Sequence, residues 1–251
     1  MCGRYASSRH PDDLGDVFEI DELRLPEPLD ENYNVAPTDE VYAVLERPPR
    51  KDDGDDEDRI ERQLRTVKWG LVPSWAKDAS IGSRMINARM ETVAEKPAYK
   101  RAFEKRRCLL PADGYYEWYE TSQLDKRGKP RKQPFFIRPK DHGILAMAGL
   151  YELWPDPTKD KDDPTRWLWT CTVITTNAAD HLGRIHDRMP LMVERDRWEE
   201  WLDPRRPGST DLLVPASPDV LEAYPVATLV SNVRNNGPEL TEPLPLEETL
   251  L

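Results

Sequence analysis

Cysteine is scarce in this chain of 251 residues. The three present, Cys2, Cys108 and Cys171, are odd in number, far apart, and form no Cys-x-x-Cys pair. Neither a disulfide framework nor a thiolate zinc site is indicated, and a reducing compartment fits best. Long apolar runs are also missing: no stretch approaches a membrane span and the N-terminus has no apolar signal core. A soluble, cytoplasmic protein with no membrane association is expected. The sequence has no glycine-rich phosphate loop and no His-Glu-x-x-His, so nucleotide and zinc hydrolysis have no support. No cofactor and no metal are expected. With no internal repeat and no coiled-coil pattern, a monomer is the expectation.

Charge is present in excess of one sign, with 47 acidic against 36 basic residues and a net charge of −11. Taken as a sum, this argues against nucleic acid as a partner. Its distribution is uneven. Acidic residues crowd into Asp52-Asp53-Gly54-Asp55-Asp56-Glu57-Asp58 and residues 160–163, both read as solvated loops. Lys96, Lys100, Arg101, Lys105, Arg106 and Arg107 fall within twelve positions, and Lys126, Arg127, Lys129, Arg131 and Lys132 follow. A basic face on an acidic body is compatible with this pattern, as are two ordinary solvated faces.

Periodicity sets the coarse structure. Leu14, Val17 and Phe18 behind Pro11-Asp12-Asp13 predict a short amphipathic helix. Strands are predicted at residues 41–45, 65–71, 107–110, 114–119, 135–138 and 144–151. The strongest is 167–176, aromatic and β-branched throughout, and one more is expected near 226–230. Residues 91–106 have helical composition, with Pro97 breaking the helix or opening a second one. Residues 195–202 read as a surface helix with Trp198, Trp201 and Leu202 on one side. Short strands with few helices and no regular β-α alternation predict an α+β fold: one domain over residues 1–251, built on a mostly antiparallel, barrel-like sheet with flanking helices. The acidic stretch 52–58 and the tail 239–251 are expected to be peripheral.

The opening Met1-Cys2-Gly3-Arg4-Tyr5 carries the most distinctive chemistry. Removal of Met1 would leave an amine and a thiol on adjacent carbons of Cys2, a pair that condenses with an aldehyde to an imine and then closes to a thiazolidine. The two groups titrate near ~8 and ~8.5, so both nucleophilic forms exist around neutrality. A buried structural cysteine is the plain alternative. Further on, Gly114-Tyr115-Tyr116-Glu117-Trp118-Tyr119 sets one carboxylate in an aromatic strand, where alternation puts Tyr115, Glu117 and Tyr119 on one face. Partial desolvation there raises a carboxylate pKa and makes it a proton carrier near neutrality. His186, in Ile185-His186-Asp187-Arg188-Met189-Pro190, is the histidine with a charged setting; His10, His142 and His181 have none comparable. Asn87 and Arg89 stand two apart and share a face if their segment is a strand. Trp75, after Pro73-Ser74, is a candidate exposed ring on which bases stack.

Taken together, Met1-Cys2-Gly3-Arg4-Tyr5, Tyr33-Asn34-Val35-Ala36-Pro37-Thr38, Trp69-Gly70-Leu71-Val72-Pro73-Ser74-Trp75, Ile86-Asn87-Ala88-Arg89-Met90-Glu91-Thr92, Gly114-Tyr115-Tyr116-Glu117-Trp118, Ile185-His186-Asp187-Arg188-Met189-Pro190 and Asn232-Val233-Arg234 resemble the SRAP (SOS response-associated peptidase) family. That family processes abasic sites in DNA. The resemblance covers most of the chain and departs at residues 52–58, at 155–164 and in the acidic tail. It implies that Met1 is removed, by self-processing or by an aminopeptidase, and that Cys2 captures the ring-opened aldehyde of an abasic site in single-stranded DNA or at a junction as a thiazolidine crosslink. It further implies that Asn87 holds the Cys2 amine or thiol, that Glu117 manages protons, and that His186 assists opening of the sugar. Arg4, Arg89, Lys100, Arg101 and neighbouring basic residues are implied phosphate contacts, with Trp75 stacking near the lesion. Two other readings of the residues stay open. One is an N-terminal-cysteine glutamine amidotransferase, which glutaminase activity would reveal; the other is a non-catalytic DNA-binding module, whose attachment would be salt-reversible and indifferent to Cys2→Ala.

Overall fold

The structure, a computed structural model, describes residues 2–48, 59–178 and 182–250; Met1, the acidic run at 52–58 and His181 lie outside them. Five strands close into a barrel: β4 (Glu40–Arg47), β5 (Glu61–Trp69), β7 (Arg107–Ala112), β10 (Leu145–Pro155) and β11 (Trp167–Asn177). Around it the order is β11-β10-β7-β4-β5, all antiparallel neighbours, and a parallel contact of Thr170 with Lys68 and Cys171 with Trp69 joins β5 back to β11. Alternation along β4 shows how the sequence builds two cores from one strand. Val41, Ala43 and Leu45 pack with Trp69, Met147 and Val173, whereas Tyr42 and Val44 pack with the helices.

A second, antiparallel sheet lies against the barrel, ordered β13-β9-β8-β1-β3 and made of β1 (Tyr5–Ser7), β3 (Asn32–Val35), β8 (Gly114–Leu124), β9 (Pro130–Pro139) and β13 (Leu221–Pro225). Its Tyr5, Tyr115 and Ile137 join the barrel's cluster, while Tyr116 and Phe136, on the opposite face, pack with Val226, Val230 and Leu240. Three short strands decorate the barrel sheet: β2 (Glu22–Arg24) and β6 (Asn87–Arg89), both parallel to their partners, and β12 (Arg188–Pro190). The expected α+β, mostly antiparallel, barrel-like architecture is therefore present. Among the described residues, no helix is long and apolar enough to cross a membrane.

The helices are short. In α1 (Pro11–Phe18) the His10 ring accepts from the Asp12 N–H, Pro11 opens the first turn, and Leu14 and Phe18 are buried, as the periodicity predicts. Residues 91–106 differ from expectation. Only α2 (Lys100–Lys105) is α-helical there, and Pro97 sits before it in a turn. In the segment 195–202 the first turn is 3-10 and α3 (Trp198–Leu202) follows; Trp198, Trp201 and Leu202 form its buried side while Arg195, Asp196 and Glu199 are exposed, as the spacing predicts. The strand expected near 226–230 is displaced to β13. Residues 228–231 form a 3-10 turn instead, because Pro225 ends the ladder with β9 and Val226 makes only an isolated bridge to Pro243.

Two features position the site. Gly70, at φ +128, lies so close to Gly82 that a side chain at Gly70 would meet the Gly82 carbonyl oxygen at 2.5 Å. That backbone contact folds the connection after β5 back on itself and delivers β6 to the edge of β11. Asn34 does the same for the C-terminal segment: its Nδ2 lies within hydrogen-bond reach of the carbonyls of Val230, Asn232 and Asn235, and its Oδ1 accepts from Arg4.

Candidate functional site

Cys2 stands three residues before the start of β1 and is fully buried. Tyr5, three residues on, meets the Trp69 ring edge to face at 5.2 Å, and Trp69 Nε1 donates to the Ile86 carbonyl at 2.9 Å. This chain of contacts brings β6 against the N-terminal segment. Asn87 then donates from Nδ2 to the Cys2 carbonyl oxygen at 2.7 Å, and its Oδ1 is buried with no partner among the described residues. Tyr99 supports Asn87 by donating its hydroxyl to the Asn87 carbonyl.

Glu117 comes from β8, on the face that meets the barrel, and is 3 % exposed. Burial pushes its carboxyl from 4.5 up to about 7, so near neutrality it exists in both protonation states. Burial also pushes the Cys2 thiol up, and the negative charge of Glu117 adds to that effect. Glu117 therefore acts on the thiol, which rests as S–H, and its own carboxyl is a proton carrier near neutrality.

His186 and Asp187 stand in the turn before β12, and Asp187 adds to the upward push on Glu117. His186 Nδ1 accepts the Arg188 backbone N–H at 3.0 Å, which assigns the proton of the neutral ring to Nε2. Burial pulls the ring pKa down and favours that neutral form, while the Asp187 carboxylate, 3.0 Å from Nδ1, pulls the other way. Arg188 anchors the turn. Buried itself, it donates to both oxygens of Glu91, to Asn177 Oδ1 and to the Thr175 carbonyl, locking β12 to β11 and to the 3-10 turn after β6.

The expected DNA-contacting residues separate by exposure. Trp75 is 61 % exposed, beside the Ala76 carbonyl that accepts from Trp154 Nε1. Arg89, Lys100 and Arg101 are exposed. Arg101 lines a groove of about 540 Å³ together with Arg47, Lys105, Arg106 and the half-exposed Trp167. Arg4 is partly buried, donating to Asn34 and to the Val230 carbonyl with its guanidinium 5.8 Å over the Trp118 ring. Of the broader basic region, Arg107 is not a surface residue. It is buried and donates to the carbonyls of Phe103, Glu104, Trp201, Asp203 and Arg206, tying α2 to α3. Arg106 pairs with buried Glu152 at 2.6 Å. The basic run after β8 forms the exposed tip of the β8–β9 hairpin, turned at Gly128.

The family model for SOS response associated peptidase (SRAP) matches residues 1–233. The chain belongs to the SRAP family. Among its relatives, the abasic site processing protein YoaM of Bacillus subtilis is 39 % identical over 245 residues, covering 96 % of this chain and 98 % of that protein. The abasic site processing protein HMCES of Xenopus tropicalis is 30 % identical over 273 residues, covering 95 % of this chain and 77 % of that one. A crystal structure of a protein from Bacteroides thetaiotaomicron shares the fold, with a TM-score of 0.77 at 24 % identity over 97 % of this chain and all of the other.

Within this SRAP chain, the four residues expected to do chemistry do not stand alike. Asn87 and Glu117 converge on Cys2, and His186 stands on the turn whose Asp187 acts on Glu117. Sequence reasoning missed Arg188, although it had quoted the His186-Asp187-Arg188 run. It also assigned nothing to Tyr115, which alternation had already put on the Glu117 face.

Proposed function

We propose that this protein captures abasic sites in DNA by forming a thiazolidine between Cys2 and the lesion's aldehyde, once Met1 has been removed. The observation that carries the reading is the convergence on one N-terminal cysteine of Asn87, bonded to its carbonyl at 2.7 Å, and of a buried carboxyl raised to about 7. Membership of the family whose relatives are named abasic site processing proteins supports the substrate.

Chemically, the Cys2 amine attacks the aldehyde carbon and forms a carbinolamine. Protonated Glu117 delivers its proton to the departing hydroxyl, water leaves, and the carboxylate takes back the N–H proton of the resulting iminium, giving an imine and the Glu117 acid again. The thiol sulfur then bonds to the imine carbon while the Glu117 carboxyl gives its proton to the nitrogen and takes the one that leaves the sulfur. One aldehyde and one aminothiol become one thiazolidine and one water. Asn87 holds the N-terminal residue in place, and its buried Oδ1 is a suitable acceptor for the new amine. Neutral His186, with its proton on Nε2, assists opening of the sugar hemiacetal. Arg4, Arg89, Lys100 and Arg101 meet the phosphates of single-stranded DNA or a junction, with Trp75 as the stacking surface. Peptidase chemistry at the Met1–Cys2 bond belongs to the same reading, since the aminothiol exists only after that cleavage. The chain is proposed to work as a monomer without a cofactor.

The test is a denaturing gel of protein with mass-verified mature Cys2, incubated with single-stranded DNA carrying one abasic site. A shifted band is expected, absent with Cys2→Ala or undamaged DNA, and about 10- to 100-fold slower to form with Asn87→Ala. No band from the mature wild type refutes the proposal.

A further inference from the structure

In the cluster that contains Cys2, one buried hydroxyl has no hydrogen-bond partner among the described residues. Tyr115 pairs Cα to Cα with Tyr5 across β1 and β8, so the two phenols leave the sheet on the same face, and Glu117 follows two residues on along that face. Tyr115 is 1 % exposed and packs in the cluster that contains Cys2, yet its hydroxyl has no hydrogen-bond partner among the described residues. Leaving a buried hydroxyl unpaired is unfavourable, and a phenylalanine would fill the same volume without that penalty. The adjacent Tyr116 behaves as buried tyrosines ordinarily do, donating to the Tyr33 carbonyl at 2.7 Å. Tyr42 is similarly placed, its hydroxyl accepting from the Leu29 N–H at 2.6 Å.

We infer that the Tyr115 hydroxyl donates a hydrogen bond to the Cys2 sulfur as it becomes a thiolate during thiazolidine closure. The inference rests on the crosslinking reading above. In closure, the S–H bond breaks, the C–S bond forms, and the C=N π pair becomes the nitrogen lone pair that receives the proton relayed by Glu117. Between leaving sulfur and reaching nitrogen, that proton leaves a negative charge on a sulfur cut off from water, where a thiolate is disfavoured. A directed O–H is the group that answers this need, and it is the stronger kind of hydrogen bond because its acceptor is charged. Tyr115 does not itself carry the proton. Burial, with the nearby Cys2 and Glu117 charges, holds its own pKa well above the ordinary phenol value, so it stays a donor throughout the working pH range. The same contact acts in reverse when the C–S bond reopens.

Tyr115→Phe, with mature Cys2 verified by mass, is compared with wild type in single-turnover crosslinking at saturating abasic DNA. The variant is expected to be about 10- to 100-fold slower, the loss of one hydrogen bond to a charged group. Its alkaline limb in the pH–rate profile is expected at higher pH, and reversal slower by a similar factor. Affinity for undamaged single strands and the thermal midpoint are expected to stay at or above wild type, which a merely structural role would not produce. Incorporation of 3-fluorotyrosine at position 115, a stronger donor of nearly the same shape, moves the limb the other way. A Tyr115→Phe variant with wild-type rate and profile overturns the inference, as does a slower rate with an unmoved limb. If the wild type itself forms no denaturation-resistant band, the crosslinking reading fails and takes this inference with it.

Discussion

Replacing Glu117 by glutamine tests the site through stability as well as chemistry. Burial lifts the carboxyl from 4.5 to about 7, so the folded chain holds this proton more tightly than the unfolded chain does. Between those two values the folded state binds more protons, and stability falls as pH rises through the window. One pH unit of displacement is worth about 1.4 kcal/mol. Above pH 7 the ionised carboxylate therefore costs the fold about 3 kcal/mol, and below pH 4.5 that penalty is absent. Glu117→Gln keeps the shape and removes the charge. At pH 8.5 it is expected to be more stable than wild type by up to about 3 kcal/mol, or about 6–12 °C in midpoint for a chain of this size, with the gap closing toward pH 4.5. Crosslinking is expected to fall about 100- to 10,000-fold, the range for loss of a proton-transfer group. Thermal scans at several pH values, on proteins matched in N-terminal state, read the first effect and the denaturing gel reads the second. A midpoint difference that does not change with pH would mean that Glu117 keeps an ordinary pKa, and the proton-relay argument would go with it.

Two surface and core contrasts follow. Trp75→Ala removes a ring that is 61 % exposed, so stability is expected to stay within about 0.5 kcal/mol. Affinity for single-stranded DNA, read by fluorescence anisotropy, should drop by about 1–3 kcal/mol. Arg107→Met should do the reverse: the five carbonyls it now satisfies lose their donor, and urea unfolding is expected to show about 3–5 kcal/mol of destabilisation. Lys100→Ala, exposed in the same region, is expected to leave stability unchanged and to reduce the salt slope of single-strand binding by about 0.7.

Sequence alone determined the features that depend on near neighbours. A thiol and an amine share one residue only if cysteine follows the initiator, and that is visible at Cys2. Alternation along residues 41–45 and 114–119 reports which side chains leave the strand together, because successive Cβ atoms point to opposite faces whatever the strand pairs with. The helix α1 was legible for the same reason, with its proline, its acidic first turn and its apolar spacing all local. The expected strand near 226–230 slipped because nothing local says which stretch of a proline-rich segment finds an open sheet edge; β9 decided that by pairing with 221–225.

Tertiary structure alone decided what the reactive residues can do. Asn87 reaches the Cys2 carbonyl across 85 positions of sequence, and it does so because two glycines let the chain after β5 fold back and β6 add to β11. Arg101 and Arg107 stand in one basic run and look alike there, yet one lines a groove and the other is buried under five carbonyls. Composition records charge, and only packing says where water is. The same holds for Tyr115 and Tyr116, adjacent and identical in type. They leave opposite faces of one sheet: one hydroxyl donates to the Tyr33 carbonyl, and the other, in the cluster that contains Cys2, has no partner among the described residues. A pKa near 7 for Glu117 belongs to this second kind of fact, because the desolvation that raises it comes from the barrel the strand lies against rather than from its own neighbours.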